Sequence, residues 1–452
     1  MATHLGKREH EAGHQSAGAN LDQHATLRHD SLPPLMRDTS FWGMAATQFL
    51  GAFNDNVFKQ LILLLATPSL VEVKQGSADD LQSEAQYVFA GAFLLFSGFA
   101  GFLSDRFSKR PIIILSKVAE IVVMLLGMIG FWYYGLIGLP GMFLVLFLMG
   151  TQSAFFGPAK YGILPEMIRT VDLPRANGIF LMLTFLAIIF GMATAGGLLK
   201  WLGNERVWLA SLVCVGIAVV GTSTSLLVRR VPVAQPELRH HWRACMLSKE
   251  MLALLHQDRE LLWAVVVVSM FWMAGGVVLQ TVNALGKSQL GLDELRTSVM
   301  AASIGVGMAV GCMLGGYFSR QRVNRTVVTT GASGLVVMLV VMALPGGPHR
   351  HLLGFYGSIP ALVVMGVFTG MFIVPVQVML QSRPPREEKG RMIATMNQCS
   401  WIGVILGAVL YKLCLELLHA TDWPRSTIFA ITAILMLPVP LFYRPKDEKL
   451  TE

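Results

Sequence analysis

Apolar stretches of about twenty residues recur along almost the whole chain, each long enough to cross a ~30 Å hydrocarbon core at 1.5 Å of helix rise per residue. Twelve can be counted, at residues 42–66, 87–104, 111–134, 140–159, 176–201, 207–228, 261–285, 298–319, 326–345, 354–380, 391–418 and 426–443. In lipid every backbone N–H and C=O must find its partner within the protein, and a helix does this within one segment. The pattern therefore predicts an all-α membrane protein with twelve transmembrane helices. Only 14% of the residues are charged, against roughly 25% in soluble domains. The five cysteines, Cys214, Cys245, Cys312, Cys399 and Cys414, are far apart, show no metal-ligand spacing, and read as small apolar residues. No cofactor or metal is expected.

The formal charge of +8 invites a nucleic-acid partner, but its distribution argues otherwise. With the N-terminus inside, 26 Lys and Arg residues fall on inner segments and 7 on outer loops, while Lys59, Lys117 and Lys412 lie within spans. Loops rich in positive charge stay in the cytoplasm, so both termini are expected there, and the excess charge is topological. Residues 1–40 contain His4, His10, His14, His24 and His29 but no apolar run, and read as a disordered cytoplasmic tail with no cleavable signal. His10 and His14 could share a metal only if that tail were helical.

Residues 229–260 form a polar interval with six basic residues that divides the spans six and six. The expected organisation is a bundle at 41–228, a cytoplasmic linker at 229–260 with an amphipathic stretch around Met251–Leu255, a bundle at 261–443, and a short tail at 444–452. The halves resemble each other at an offset of 215–217 residues. Gly101-Phe-Leu-Ser-Asp-Arg-Phe-Ser-Lys-Arg110 matches Gly316-Tyr-Phe-Ser-Arg-Gln-Arg-Val-Asn-Arg325; Arg175 and Gly191 match Arg391 and Gly407, and Pro158 matches Pro375. Such a duplication is the mark of a transporter built from two bundles around a site at mid-membrane.

Ionisable side chains inside a span are costly and mark function by default. The first span holds Asn54, Asp55, Asn56 and Lys59, with Asp55 and Lys59 at the i, i+4 spacing of a helical ion pair. Polar groups over so much of the helix surface exceed what one neighbour satisfies, which points to a cavity-lining element. Lys117 with Glu120, and Lys412 with Glu416, read as structural pairs, Glu120 being the one that could titrate if its partner moved. In the fourth span Gly157 and Pro158 are expected to break the helix and present Lys160 beside Tyr161, a reasonable phosphate partner. The second half offers Phe271, Trp272 and Gln280, then Gln377, Gln381, Asn397 and Gln398, neutral where the first half is charged. An amphiphile with one charged end suits that asymmetry.

Two resemblances sharpen this reading. Gly101, Asp105, Arg106, Lys109 and Arg110 resemble the loop motif of the major facilitator superfamily, with Ser108 where the motif prefers Gly. The resemblance implies two six-helix bundles and a gating role for these five residues through contacts to neighbouring helix ends. With Arg320 in place of Asp105, any such latch should be weaker in the second half. Phe49-Leu-Gly-Ala-Phe-Asn-Asp-Asn56, Phe156-Gly-Pro-Ala-Lys-Tyr-Gly-Ile-Leu-Pro-Glu166 with Arg175-Ala-Asn-Gly178, and Val374-Pro-Val-Gln-Val-Met-Leu-Gln381 with Gly390-Arg-Met-Ile-Ala394 resemble the bacterial lysophospholipid transporter family, from about Phe41 to Tyr443.

This second resemblance implies movement of lysophosphatidylethanolamine from the outer to the inner leaflet of the bacterial inner membrane by a monomer. Asn54, Asp55 and Asn56 would then line the headgroup cavity, and Lys160 and Tyr161 would meet the phosphate, with Lys59, Glu120, Gln280 and Gln377 as further candidates. Some relatives carry a fused acyltransferase; no His-x4-Asp motif occurs here, so reacylation is expected from a separate protein. Three other readings remain: a proton-coupled exporter of amphipathic solutes using Asp55 or Glu120, a membrane enzyme of lipid metabolism, and a scaffold docking an acyltransferase through 229–260. The exporter is disfavoured because Gly191-Met-Ala-Thr-Ala-Gly-Gly197 lacks the Gly-Pro signature of antiporters, and the enzyme because no nucleophile/base or metal constellation is present.

Overall fold

The computed structural model describes residues 32–75, 79–169, 172–231, 249–319, 322–346, 351–383, 389–421, 423–446 and 448–449. His10, His14, Cys245, Arg320 and most of the linker lie outside them. Twelve principal helices follow: α1 Thr39–Leu65, α2 Gln82–Arg106, α3 Lys109–Trp132, α4 Tyr134–Gly162, α5 Leu173–Leu202, α6 Trp208–Ser225, α7 Arg259–Ala284, α8 Glu294–Ser319, α9 Arg325–Ala343, α10 Gly354–Ser382, α11 Lys389–Thr421 and α12 Thr427–Met436. Among the described residues, eleven helices are long and apolar enough to cross a membrane. The twelfth is divided, because Pro438 has no N–H to continue α12, and a short helix Pro438–Phe442 completes it. One two-residue antiparallel ladder, β1 Arg322–Val323 with β2 Glu448–Lys449, is added to the all-helical expectation. The amphipathic stretch of the linker forms a helix at Lys249–Gln257.

The starts of α1 and α7 are capped alike, although the arginines that meet the two caps come from non-equivalent helices. Asp38 caps α1, accepting from the backbone N–H of Ser40 at 2.9 Å and Phe41 at 3.3 Å, and pairs with Arg229 beyond α6 at 2.5 Å. Asp258 caps α7 in the same way, through Glu260 at 3.0 Å and Leu261 at 3.3 Å, and pairs with Arg383 at the end of α10 at 2.7 Å. Each carboxylate thus satisfies orphan N–H groups and ties a helix start to a later helix end. The matched glycines behave alike. Gly191 of α5 lies against the α1 backbone at Phe53, and Gly407 of α11 against the α7 backbone at Met273.

In the first half α1 packs on α5 and α6, α2 on α4, and α3 on α4 and α6; in the second, α7 packs on α11, α8 on α10, and α9 on α10 and α12. The halves meet along α5–α8 and α2–α11, with a smaller contact between α1 and α7. Phe58, Leu61, Met124 and Leu146 fill the first core, and Val268, Leu339, Leu362 and Phe372 the second. Outward faces are apolar too, with Leu95, Leu115, Leu136 and Ile434 exposed, as suits lipid-facing helices.

Lipid supplies little hydrophobic drive between helices, so close packing must supply it. On α8, Gly307 and Gly311 meet the carbonyls of Val363 and Val367 of α10, and Gly366 of α10 returns the contact to Ile304. Backbone lies on backbone there, and a methyl group has nowhere to go. Gly311→Val should lower the thermal unfolding temperature of detergent-purified protein by several degrees, reflecting roughly 1–3 kcal/mol or more of overpacking. Gly316→Val, whose side chain meets open space, should leave it unchanged.

Candidate functional site

Asp55 sits half-buried in the middle of α1 and is held by α4, not by its own helix. Ser153 Oγ donates to it at 2.6 Å and Gln152 Nε2 at 3.4 Å, and Gln152 also donates to Ser153 at 2.7 Å. The Asp55–Lys59 ion pair suggested by their spacing is not formed. Lys59 instead lies over the Phe89 ring of α2, 4.9 Å from its centroid. Asn56 turns back, donating to the Ala52 carbonyl at 2.7 Å.

Asn54 faces the other way, fully buried, and donates to Glu120 Oε1 of α3 at 2.8 Å. Glu120 pairs with Lys117, both enclosed. Room for the lysine comes from Gly51 of α1 and Gly221 of α6, whose missing side chains leave space for its Cε and Nζ. The structure thus separates the polar residues of the first span. Asn54 joins a closed charge cluster inside the bundle, while Asp55, Asn56 and Lys59 remain partly accessible.

The expected break at Gly157 and Pro158 is absent: α4 runs unbroken through both to Gly162, and its non-helical residue is Gly138, at φ 57°. Proline removes one donor, a loss that a packed membrane helix tolerates. Lys160 therefore projects from a regular last turn, half-buried, 4.8 Å from the Tyr161 ring centroid and 5.7 Å from that of Phe156. Tyr161 is exposed. Gln377 is half-buried on α10, Asn397 is exposed on α11, and the side chain of Gln381 lies outside the described residues.

Of the loop between α2 and α3, Lys109 is buried and pairs with Glu166 just beyond α4, with Gly162 leaving room for its chain. Arg110 donates to the Leu226 carbonyl past α6 at 3.0 Å, and Ser108 to the Val231 carbonyl at 2.9 Å. Arg106 is exposed beside Phe102 and Phe107, Gly101 has open space around it, and the side chain of Asp105 lies outside the described residues.

Sequence reading missed a polar network that joins the two halves where α1 ends and α2 begins. Asn283 of α7 accepts from Gln60 at 3.2 Å and donates to Gln82 at 3.0 Å. Gln82 donates to Tyr411 of α11 at 3.2 Å, and Tyr411 donates to Asp80 at 2.7 Å. Gln280, a candidate for the substrate cavity, is buried in this network and accepts from Ser83 at 3.4 Å. Lys412 does not pair with Glu416 but crosses to Glu84 at 2.6 Å; on the opposite seam Lys200 reaches Asp293 at 2.9 Å. Lys287 and Ser288 donate to the carbonyls of Leu64 and Pro68 at 2.7 and 2.6 Å. The end remote from Asp38 and Tyr443 is closed.

Residues 44–408 match the family model described as Major Facilitator Superfamily. The chain belongs to the major facilitator superfamily. Within the superfamily it belongs with the lysophospholipid transporters. It is 30% identical over 395 residues to the "Lysophospholipid transporter LplT" of Enterobacter sp. (strain 638), covering 84% of this chain and 91% of that protein. It is 28% identical over 388 residues to the protein of that name from Klebsiella pneumoniae (strain 342), covering 85% and 90%. The fold is shared with the nucleoside transporter NupG, at a TM-score of 0.65 and 14% identity over 88% of this chain and 98% of that one. It is shared equally with a bacterial homologue of the human lysosomal transporter Spinster in an inward-facing conformation, at 0.65 and 13% over 90% and 96%.

Two tests follow for this facilitator-superfamily transporter. Lys117→Ala leaves Glu120 uncompensated inside the bundle and should cost about 3–5 kcal/mol of stability, whereas Lys117→Met combined with Glu120→Met should be far milder; thermal unfolding of the purified variants distinguishes them. Burial pushes the Asp80 carboxyl above its ordinary value of 3.8, against the opposing effects of the Tyr411 hydrogen bond and Arg425. The closed end therefore binds a proton more tightly than an open, hydrated one. Its contribution to closure is complete below that ordinary value and fades as pH rises through the raised one. Spin labels across the two halves at that end should report more closed population at about pH 4 than at about pH 8, and Asp80→Asn should flatten the dependence.

Proposed function

We propose that this transporter moves a lysophospholipid with a zwitterionic headgroup, of the lysophosphatidylethanolamine kind, from the outer to the inner leaflet of a bacterial inner membrane by alternating access. The observation that carries the reading is the Asp55 carboxylate on α1, held by Ser153 of α4, with the Lys160 ammonium about two turns further along that same helix. A carboxylate suits an ammonium and a lysine suits a phosphate, so the pair matches a headgroup that bears both charges. Asn56 and Tyr161 add polar edges, and Gln377 a neutral one on the facing half. The single tail stays in hydrocarbon along the seams between the halves. The names borne by the relatives support this substrate class.

In this reading both termini are cytoplasmic, as the basic loops favour, and the network from Gln60 to Lys412 is the outer gate, closed in the inward-facing form. The loop from Gly101 to Arg110 braces the inner ends of α4 and α6 through Lys109 and Arg110. The protein acts as a monomer, and a separate acyltransferase keeps the inner pool of lysolipid low, so no nucleotide or ion gradient is needed.

In liposomes containing the purified protein, labelled lysophosphatidylethanolamine should change leaflet with or without a proton gradient. Asp55→Ala and Lys160→Ala should each slow transfer by roughly 10–100-fold, the loss of one charge-assisted contact, while eluting as folded, monodisperse protein. No transfer under either condition would sink the reading. Strict dependence on the gradient would favour proton-coupled export, and full activity in both variants would move the site elsewhere.

A further inference from the structure

Asp55 lies between two cations. Lys59 is one turn further along α1, about 6 Å by helix rise, toward the closed end. Lys160 lies the other way: from Ser153, which donates to Asp55, α4 runs seven residues or about 10 Å toward the opposite end. Both lysines are half-buried, and each rests over aromatic rings. Among the described residues neither has a carboxylate within ion-pair distance, although an ammonium inside a span is costly without a partner.

The ring over Lys59 is itself held by the other half. Trp401 of α11 meets Phe89 edge-on at 5.9 Å and stacks on Phe93 at 4.0 Å and 16°. One cation and three rings therefore form a column across the α2–α11 seam. When that seam parts at the closed end, Trp401 departs with α11, and Phe89 loses the contact that pins it over the ammonium.

The geometry points to two phosphate stations on either side of one ammonium station. Lys59 receives the phosphate while the now-closed end is open, Asp55 holds the ammonium throughout, and the phosphate passes to Lys160 as the Phe89–Phe93–Trp401 column closes over Lys59. A phosphate and an ammonium joined through two carbons are separated by about one helical turn, ~5 Å, which matches the step from Asp55 to Lys59. This inference rests on the lysophospholipid reading and adds to it an order of contacts. The aromatic column then occupies the place of the anion once the lipid has moved on.

Initial rates of lysophosphatidylethanolamine transfer against concentration, in liposomes, test the stations. Lys59→Gln should raise the half-saturating concentration about tenfold with the maximal rate within about twofold, and Lys59→Arg should restore it; Lys160→Gln should lower the maximal rate instead. A purely structural Lys59 would show loss of folded protein in Lys59→Gln with no such split, and an unchanged half-saturating concentration overturns the inference. The mask is tested separately. A membrane-impermeant thiol reagent applied from the closed end should label Lys59→Cys slowly, and several-fold faster when Trp401→Ala is added, each measured against the protein without Lys59→Cys. Labelling indifferent to Trp401→Ala also overturns the inference. Failure of the unsubstituted protein to transfer lipid would instead overturn the lysophospholipid reading, with the labelling rates still deciding whether Lys59 becomes uncovered.

Discussion

Lipid offers no hydrogen-bond partner, and that constraint governs where polar side chains inside the helices can go. Hydroxyls inside the helices turn back on their own backbone: Thr47 to Gly43, Thr281 to Val277, Ser400 to Met396 and Thr432 to Ile428, all within 2.8 Å. Charges are enclosed with a counter-charge, as in Lys117 and Glu120, or brought to an end of the bundle, as in Asp80 and Lys412. Against that economy the partly accessible Asp55, Lys59 and Lys160 stand out. A charge that the fold has left without a counter-charge inside the membrane is one available to something else.

The twelve spans, their division into halves and the offset between repeats were legible in the sequence because apolar length and repeated glycines survive without knowledge of tertiary contacts. Asp55 was legible for the same reason, as a charge where charges are costly. What failed was the assignment of partners. The i, i+4 spacing of Asp55 and Lys59 favours a pair on an isolated helix, but Ser153 on α4 and Phe89 on α2 compete and prevail. Lys412 prefers Glu84, 328 residues away, to Glu416 on its own helix. The signal for Ser153 was the polar triplet Thr151-Gln152-Ser153 within the fourth span, two of whose members meet Asp55. Pro158 misled because a proline rule drawn from water-exposed helices overstates the break in a packed one. The network of Gln60, Asp80, Gln82, Asn283 and Tyr411 could not be foreseen from any one segment, since it draws on four.

The two halves share a plan but are cemented differently. The first holds its helices together with buried charge around Lys117, reached through gaps at Gly51 and Gly221. The second uses glycine contact between α8 and α10, whose spacing of four residues at Gly307, Gly311 and Gly315 is plain in the sequence, although the identity of the facing helix is not.

The two ion pairs across the seams have an electrical consequence. Lys200 and Glu84 belong to the first half, Asp293 and Lys412 to the second, so each half contributes one cation and one carboxylate. Moving an elementary charge through the full membrane potential is worth about 2.3 kcal/mol per 100 mV. Parting these pairs carries equal and opposite charge with each half, so that the work done against the field cancels. As far as these two pairs are concerned, parting the seams would cost the same at any voltage across the membrane.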